Sequence, residues 1–266
     1  MAIVTLTTDF GLSDSFVGIM KGVMLRINPD VTFVDITHEI TPQNIRQAAY
    51  VIASAFDYFP KGSIHLSVVD PGVGTGRRPI AIYANGHYFV GPDNGLFTKI
   101  LRRYKPADVV ELENRKFMLP SVSNTFHGRD IFAPAAAWLS KGEPLNNFGS
   151  QAASPKLLDL PVQLQPTPNM IEGEVIHIDH FGNAITNITQ NLVEHVGIEL
   201  GSVSVEIAIK SHVIKEISPN YSVVKNAKKL SATFGSFDTL ELFLRNSDAC
   251  SSFDISIGDH VEIRFY

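Results

Sequence analysis

The chain has 266 residues, of which 44% are hydrophobic and 18% are charged, and its formal net charge is −5. This length and composition indicate a globular protein with enough apolar residues for one large domain or two smaller ones. The negative charge and a pI near 6.0 argue against a nucleic-acid-binding protein, because the basic pairs Arg77/Arg78 and Arg102/Arg103 are too short to form a positive stripe.

Cysteine usage and hydropathy indicate a cytoplasmic location. The single cysteine, Cys250, has no partner for an internal disulfide. The N-terminal sequence MAIVTLTTDFG lacks the basic region and the apolar length of a signal peptide. No apolar stretch reaches the roughly 20 residues that a membrane helix requires, so we expect neither secretion nor a membrane partner.

The first 150 residues alternate between strand-like and helix-like patterns. Three β-prone runs predict strands: residues 3–8, 31–37 and 63–69. Between them, apolar side chains at i, i+3, i+4 spacing predict two helices: residues 16–27, closed by Asn28-Pro29, and residues 44–59, closed by Pro60. This order of elements is typical of an α/β domain.

Residues 80–91 (IAIYANGHYFVG) are typical of a β-hairpin, because Asn85-Gly86 suits the positive φ angles of a type I′ turn. Two further helical segments are expected at residues 94–104 and 126–142. Strands that alternate with helices indicate a mostly parallel sheet covered on both faces. We therefore predict an α/β N-terminal domain over residues 1–158.

The sequence pattern changes after residue 158. Four prolines, at positions 155, 161, 166 and 168, interrupt any periodicity and predict a linker over residues 159–169. Residues 170–266 consist of short β-prone pieces separated by turns. They favour a smaller, all-β, barrel-like C-terminal domain.

Aspartates follow or end three of the predicted strands: Asp9, Asp35 and Asp70. A single aspartate at a strand end often only caps the next turn. Ligands of open α/β sheets, however, bind beyond the carboxyl ends of the strands, and three acids at one edge predict a ligand site there. The glycine-rich loop at residues 72–76 permits close backbone approach, but it lacks the GxGxxG and Gly-Lys-Ser/Thr spacings of nucleotide-phosphate loops.

Two later motifs add polar candidates. In NTFHGRDIFAP, His127 and Asp130 are either a surface histidine and a helix-start residue or members of a catalytic site. In IDHFGNAITNI, Asp179, Phe181 and Asn183 form either a simple polar turn or a purine-binding surface, since an aromatic face and an amide suit a purine ring. The nine histidines show no HExxH or Cys/His cluster, so we expect no metal site.

Six motifs, in this order and spacing, resemble the S-adenosylmethionine (SAM) hydrolase family, also called SAM hydroxide adenosyltransferases: TTDFG, DITHEI, VVDPGVGTGRR, GPDNGLF, FHGRDIFAPAAA and DHFGNAITNI. The family is related to bacterial fluorinase and chlorinase. The resemblance is strong from residue 5 to about residue 190 and weak beyond. It implies an α/β N-terminal domain, a β-barrel-like C-terminal domain, and a homotrimer whose sites lie between the N-domain of one subunit and the C-domain of its neighbour.

The resemblance also implies the reaction. Asp70, Arg77 and His127 match a catalytic triad that activates water for in-line attack on the ribose C5′ of SAM, giving adenosine and L-methionine without a cofactor or metal. Halogenating relatives carry a hydroxylic or small residue where Asp70 stands, because a carboxylate repels an incoming halide. In fluorinase, a serine that donates a hydrogen bond to the halide matches Gly128. Chlorinase is similar to this chain at that position. The sequence leaves open whether Asp70 or His127 is the base.

The implied substrate-binding residues extend across both domains: Asp9, Asp14, Ser15, Phe126, Asp179, Asn183, Ser236 and Arg245. By resemblance Asp9 holds the ribose hydroxyls, Asp179 meets the methionine ammonium, and Asn183 contacts substrate from the neighbouring subunit. The C-terminal segment departs from the family pattern, because Gly235-Ser236 stands where relatives have Asn-Ser. Two alternatives to hydrolysis remain: chlorinase-like halogenation and non-catalytic binding of SAM or adenosine.

Overall fold

A computed structural model describes residues 2–201, 204–224 and 226–266. Contacts divide the chain into two compact units, residues 1–159 and residues 160–266. Within the described ranges, no helix combines the length and the apolar character needed to cross a membrane.

The first unit is built around a six-stranded sheet with strand order β2-β1-β3-β5-β4-β6. Its strands are β1 (Ile3–Thr8), β2 (Thr32–Thr37), β3 (Ile64–Val68), β4 (Pro79–Ala84), β5 (His87–Pro92) and β6 (Asp108–Glu111). Its helices are α1 (Phe16–Ile27), α2 (Ile45–Ala55), α3 (Thr98–Arg103) and α4 (Ala133–Ser140). A π-helical turn, Gly128–Phe132, runs directly into α4.

The sheet is mixed and mostly parallel, as predicted. Strand β1 is parallel to β2 and β3, and β3 is parallel to β5, whereas β4 is antiparallel to β5 and β6. Successive residues of one strand enter opposite cores: Ala81 packs with α1 and α4, and its neighbours Ile80 and Ile82 pack with α2 and α3. Helices on both faces confirm the predicted α/β class.

The predicted turn between β4 and β5 is also present. Asn85 has φ 49° and Gly86 has φ 79°, which is the left-handed geometry that a type I′ hairpin requires. Strand β6, by contrast, falls outside the predicted elements. Its four residues, DVVE, are too few to establish a period.

The second unit is a nine-stranded, nearly closed, barrel-like sheet in which β8 joins both halves. Its strands are β7 (Leu164–Thr167), β8 (Met170–Ile178), β9 (Ala184–Thr189), β10 (Val205–Ile209), β11 (His212–Ile214), β12 (Ile217–Ser218), β13 (Ser231–Phe234), β14 (Thr239–Phe243) and β15 (His260–Phe265). Among its described residues, two helices accompany the sheet: α5 (Gln190–Leu200) and α6 (Ala249–Phe253).

The predicted barrel-like sheet is confirmed, with two differences of detail. The predicted linker over residues 159–169 contains strand β7, which lies on β8; all four of its residues are exposed, so no alternation marked it, and an edge strand tolerates Pro166. The region is also not all β. Helix α5 follows β9 without a break, begins at Thr189, whose hydroxyl accepts from Leu192 N, and ends at Gly201 with φ 60°, which are recognisable cap signals.

Candidate active site

The carboxyl ends of β1 and β3 bring two of the predicted acids to one edge of the sheet. Thr8 and Val68 are paired neighbours on these parallel strands, and Asp9 and Asp70 follow them. Asp35, the third acid, lies within β2 opposite Leu6. Its carboxylate binds Lys21 at 2.6 Å.

Asp70, Arg77 and His127 form one hydrogen-bonded chain. Arg77 Nε donates to both carboxylate oxygens of Asp70 at 2.9 Å, and Nη2 donates to Oδ2 as well. The same Nη2 lies 2.8 Å from His127 Nδ1. The Asp70 and Arg77 side chains are 5% and 8% exposed, so this is a buried, charge-assisted network.

The loop between Asp70 and Arg77 is held in place by turns. Val73 N donates to Asp70 O, and both the backbone N and the hydroxyl of Thr75 bond Gly72 O. At Gly74 the backbone has φ 75°, and a Cβ there would lie 2.3 Å from Asn124 O. Glycine is required at this close approach, which packs the loop against the segment that leads to His127.

The contact with Arg77 fixes the protonation of His127. Arginine only donates hydrogen bonds, so Nδ1 must accept, and the neutral ring carries its proton on Nε2. Burial and the Arg77 charge lower the pKa of His127, and they outweigh the opposing charges of Asp70 and Asp130 and a backbone hydrogen bond at Ser123. His127 is therefore neutral at pH 7.

One donor of Arg77 remains unused. Nη1 is buried and has no hydrogen-bond partner among the described residues, although the guanidinium carbon lies 5.1 Å from the centroid of the Phe132 ring. Buried donors are nearly always paired, and leaving one unpaired costs about 1–3 kcal/mol. A small polar ligand beside Nη1 would remove this cost.

Three phenylalanines form an apolar cluster near His127. The ring centroids of Phe10, Phe16 and Phe126 lie 5.2–6.0 Å apart. Gly128 is packed beneath them, since a Cβ there would lie 3.2 Å from both Met20 Sδ and Phe126 Cε2. Phe126, predicted to bind substrate, thus belongs to an apolar cluster next to His127 in the sequence.

Asp130 has a structural role. It is fully buried, accepts from Ser123 N at 2.8 Å and from Arg129 Nε at 2.6 Å, and thereby ties the Ser123 segment to the π-helical turn. Burial raises its pKa, but these hydrogen bonds outweigh that effect and lower it. Of the two candidate residues in FHGRD, His127 and Asp130, only His127 is hydrogen-bonded to Arg77.

The remaining candidates of the first unit lie beside β1. Asp9 Oδ2 accepts from Gln43 N at 2.8 Å. This single bond leaves most of the carboxylate acceptor sites for a ligand. Asp14 and Ser15 are exposed, and Ser15 begins α1 without a side-chain cap bond.

In the second unit, Asp179 and Asn183 lie together on the turn between β8 and β9. The Asp179 carboxylate accepts from Phe181 N, Asn183 N and Asn183 Nδ2 at 2.8–2.9 Å. These bonds build the turn that carries Phe181, which is 74% exposed. Exposed aromatic rings of this kind offer a face on which a planar ligand can stack.

Ser236 and Arg245 are not brought together. Ser236 is on the exposed turn before β14 and Arg245 follows the end of that strand, so β14 separates them. Because Leu242 pairs with Ala184, Arg245 is at the end of β14 nearer Asn183. Arg245 Nη1 donates to Val224 O at 2.9 Å.

Sequence patterns did not reveal a buried acid near Asp179. Glu241 is 5% exposed and accepts from Tyr221 Oη at 2.6 Å. Burial raises the pKa of Glu241, and the charge of Asp179 raises it further. The signal was present in the apolar strand sequence LELF, where a lone acid must find a partner.

The histidines contact hydroxyl groups and one another. His38 Nδ1 lies 2.8 Å from Thr8 Oγ1, and His65 Nε2 lies 3.2 Å from His87 Nδ1. Across the part of the chain that the structure describes, no group of three or more His, Cys, Asp or Glu side chains could hold a metal ion. The expectation of metal-free activity remains a prediction.

Comparisons place this geometry among known proteins. The N-terminal and C-terminal domain profiles of SAM hydroxide adenosyltransferases match residues 4–149 and 173–262. An (R)-S-adenosyl-L-methionine hydrolase from Salinispora tropica is 41% identical over 225 residues, covering 83% of this chain and 85% of the relative. A fluorinase from an Actinoplanes species is 29% identical over 225 residues, 74% of each chain. The crystal structure of an uncharacterized conserved protein from Thermotoga maritima matches with a TM-score of 0.90 and 35% identity, covering 99% of this chain and 100% of that one.

Proposed function

The chain belongs to the SAM hydroxide adenosyltransferase family, and from this premise we propose that it hydrolyses SAM to adenosine and L-methionine. The observation that carries the proposal is the buried chain of Asp70, Arg77 and His127, with an unused donor on Arg77. In this charged network the unpaired Nη1 of Arg77 can donate a hydrogen bond to a small nucleophile such as water.

The substrate decides what the enzyme must supply. C5′ of SAM bears a sulfonium, which departs as the neutral thioether of methionine with the electron pair of the C5′–S bond. The water oxygen forms the new C5′–O bond and loses one proton. Leaving-group protonation is unnecessary, so catalysis depends on positioning the water and accepting its proton.

The geometry favours Asp70 as the proton acceptor. Neither nitrogen of His127 is free to accept, because Nδ1 receives the Arg77 donor and Nε2 carries the ring proton. Among the described residues, Asp70 Oδ1 receives one donor, Arg77 Nε, and it keeps a lone pair for the water. Arg77 Nη1 donates to the water oxygen and stabilises the charge that develops on it, while His127 orients Arg77.

Substrate binding involves both domains. Asp9 accepts the two ribose hydroxyls, Asp14 and Ser15 bind near the methionine end, and Phe126 is a further substrate contact in the same domain. From the C-terminal domain, Asp179 meets the methionine ammonium and Asn183 contacts the nucleoside. Ser236 and Arg245 complete the list of proposed contacts: Ser236 from the turn before β14 and Arg245 from its far end.

Assembly and location are part of the proposal. A homotrimer in which each site combines the N-domain of one subunit with the C-domain of its neighbour would unite these residues, and the cytoplasm is where SAM is available. Light scattering combined with activity measurement tests the assembly. A fully active monomer would disprove it.

Hydrolysis is favoured over halogenation by the charge of Asp70. A halide approaching this carboxylate is repelled, whereas water is not. The test is to incubate purified protein with SAM in ¹⁸O-labelled water, with and without chloride. We expect adenosine carrying one ¹⁸O at its 5′ oxygen, and the R sulfonium epimer, named for the Salinispora relative, as the reactive one. Formation of 5′-chloro-5′-deoxyadenosine would establish the halogenase alternative, and intact SAM beyond the buffer control would establish a binding protein.

A further inference from the structure

The DITHEI motif contributes a histidine that the proposed reaction does not use. His38 is 3% exposed, and its Nδ1 lies 2.8 Å from the hydroxyl of Thr8, the last residue of β1. Its Nε2 lies 3.2 Å from Asp35 Oδ1, a distance for electrostatic attraction although the angle is poor for a hydrogen bond. Asp35 in turn binds Lys21.

The direction of these contacts follows from the groups involved. A carboxylate only accepts, so the proton of a neutral His38 ring is on Nε2, toward Asp35. Nδ1 then accepts from the Thr8 hydroxyl. Thr8 Oγ1 also accepts from Phe10 N at 3.2 Å. The series of polar contacts that begins at Asp35 therefore ends on the turn that carries Asp9.

The segment around His38 holds the same turn at two further points. His38 O accepts from Gly11 N at 2.8 Å. Gln43 N donates to Asp9 Oδ2 at 2.8 Å, from a backbone with φ 68° that a residue other than glycine rarely adopts. Backbone strain that presents a donor to one carboxylate indicates that the position of that carboxylate matters.

We propose that His38 is a positioning residue for the carboxylate of Asp9, acting through Thr8 to align it with the ribose diol of the nucleoside ligand. The inference rests on the proposed function, which assigns the ribose to Asp9. His38 touches neither ligand nor water in this scheme. It fixes the rotamer of Thr8, and Thr8 fixes the backbone from which Asp9 projects.

The same strand provides a matched control. His65 Nδ1 lies 2.8 Å from Thr5 Oγ1, and His65 is also 3% exposed. The two contacts therefore join the same atom types at the same distance and burial, although His38 Nδ1 accepts from its threonine and His65 Nδ1 donates to its own. They differ in place, because Thr5 lies three residues before Thr8 and away from the Asp9 turn.

The experiment uses Thr8→Val, which keeps the side-chain shape and removes the hydroxyl, with Thr5→Val as its control. His38→Leu removes the ring nitrogens, and His38→Asn restores an acceptor near the place of Nδ1. SAM and adenosine affinities are measured by calorimetry, turnover by chromatography, and folding by thermal unfolding. Thr8→Val carries the test if His38→Leu fails to fold.

We expect Thr8→Val and His38→Leu to weaken binding of both ligands about 3- to 10-fold, the equivalent of one neutral hydrogen bond. KM rises by the same factor while kcat changes less than about twofold, because Asp9 acts equally in ground and transition states. His38→Asn binds within about twofold of wild type. Thr5→Val binds as wild type even if it unfolds at a lower temperature.

Unchanged affinity in Thr8→Val would overturn the inference, as would an equal loss in Thr5→Val. The proposed function is judged separately, by turnover of the wild-type protein. If the wild type binds adenosine without hydrolysing SAM, the reaction is wrong and the binding titrations still decide the role of His38. If it binds neither ligand, both proposals fall.

Discussion

Two arginines that are neighbours in the sequence have different roles in the first unit. Arg77 and Arg78 each bind an aspartate whose side chain is 5% exposed, Asp70 and Asp93 respectively. The remaining donors of Arg78 are used on the carbonyls of Ala153 and Ser154, whereas Nη1 of Arg77 has no partner among the described residues. The two pairs have the same charges, but the Arg77 side chain is 8% exposed and that of Arg78 is 31% exposed, so a more buried guanidinium with an unused donor distinguishes a site from an anchor.

A second polar network in the same sheet runs from Lys61 through His87 and His65 to Thr5. We call it the closed network, because its groups bind one another. The Lys61 ammonium, which only donates, lies 3.3 Å from His87 Nε2, so His87 carries its proton on Nδ1 and donates to His65. His65 then donates from Nδ1 to Thr5. Every group between Lys61 and Thr5 has its partner within the protein. Such a network stabilises the fold and leaves nothing for a ligand.

Single substitutions of Asp70 and Asp93 should give the largest difference between the two arginine pairs. In Asp70→Ala the acceptor for the water proton is lost, so kcat should fall about 100-fold or more while SAM affinity changes little. In Asp93→Ala the loss removes a buried carboxylate that binds Arg78 and Lys156 N, which should lower the unfolding temperature and leave kcat of the folded protein near wild type. Single-turnover kinetics and thermal unfolding measure both effects.

Asp70→Asn repeats the test without removing the side chain. Its amide keeps the volume of the carboxylate but accepts a proton poorly, so it should be nearly as slow as Asp70→Ala. Near-normal turnover in either variant would show that the triad does not activate water. An equal loss of turnover in Asp93→Ala would show that the two arginine pairs do not differ in function.

The sequence predicted the α/β order, because hydrophobic periodicity is a local signal, and the family resemblance named Asp70, Arg77 and His127, whose side chains the structure joins by hydrogen bonds. It could not predict which neighbouring arginine has a free donor, since the partners of Arg78 lie about 75 residues away in the chain. The pair of Tyr221 and Glu241 was missed for the same reason. Helix α5 was missed although its caps were readable, because the strand pattern of β9 runs directly into it.

A smaller effect is expected at Asp9, and it sharpens the distinction within the site itself. Asp9→Ala removes a charge-assisted contact to the ribose, which should weaken binding of both SAM and adenosine by roughly 1.5–3 kcal/mol, or about 10- to 150-fold. Because the ribose is held in ground and transition states alike, kcat should change far less than in Asp70→Ala. Calorimetry with both ligands checks this. Affinity that is unchanged for adenosine would remove Asp9 from the ribose site.

The closed network should make the stability of the fold depend on pH. Burial and the neighbouring His87 lower the pKa of His65 from 6.5 to about 3, so between these pH values the unfolded chain binds a proton that the folded chain rejects. Stability from this group is complete above pH 6.5 and falls as the pH drops toward 3, by about 1.4 kcal/mol per pH unit.

Urea unfolding of the wild type and of His65→Asn at a series of pH values isolates this effect. The variant lacks the titrating ring, so its free energy of unfolding should fall less steeply between pH 6.5 and 5. Its SAM affinity at pH 7.5 should equal that of the wild type, since His65 lies outside the site. Parallel pH curves for the two proteins would contradict the buried, neutral state of His65.

The smallest expected effect is that of a chelator, and it tests whether the unused donor of Arg77 is sufficient to hold the water. The departing sulfur leaves as a neutral thioether, so no negative charge develops there for a Lewis acid to stabilise. On the nucleophile side, Arg77 supplies the positive charge and Asp70 the proton acceptor, which are two of the services that a metal-bound water site provides. Dialysis against EDTA should therefore leave kcat and KM unchanged, with a zinc-dependent hydrolase treated in parallel to show that the chelation was effective. Activity that disappears and returns with one divalent cation would mean that the guanidinium does not hold the nucleophile, and Arg77 would then be an anchor like Arg78.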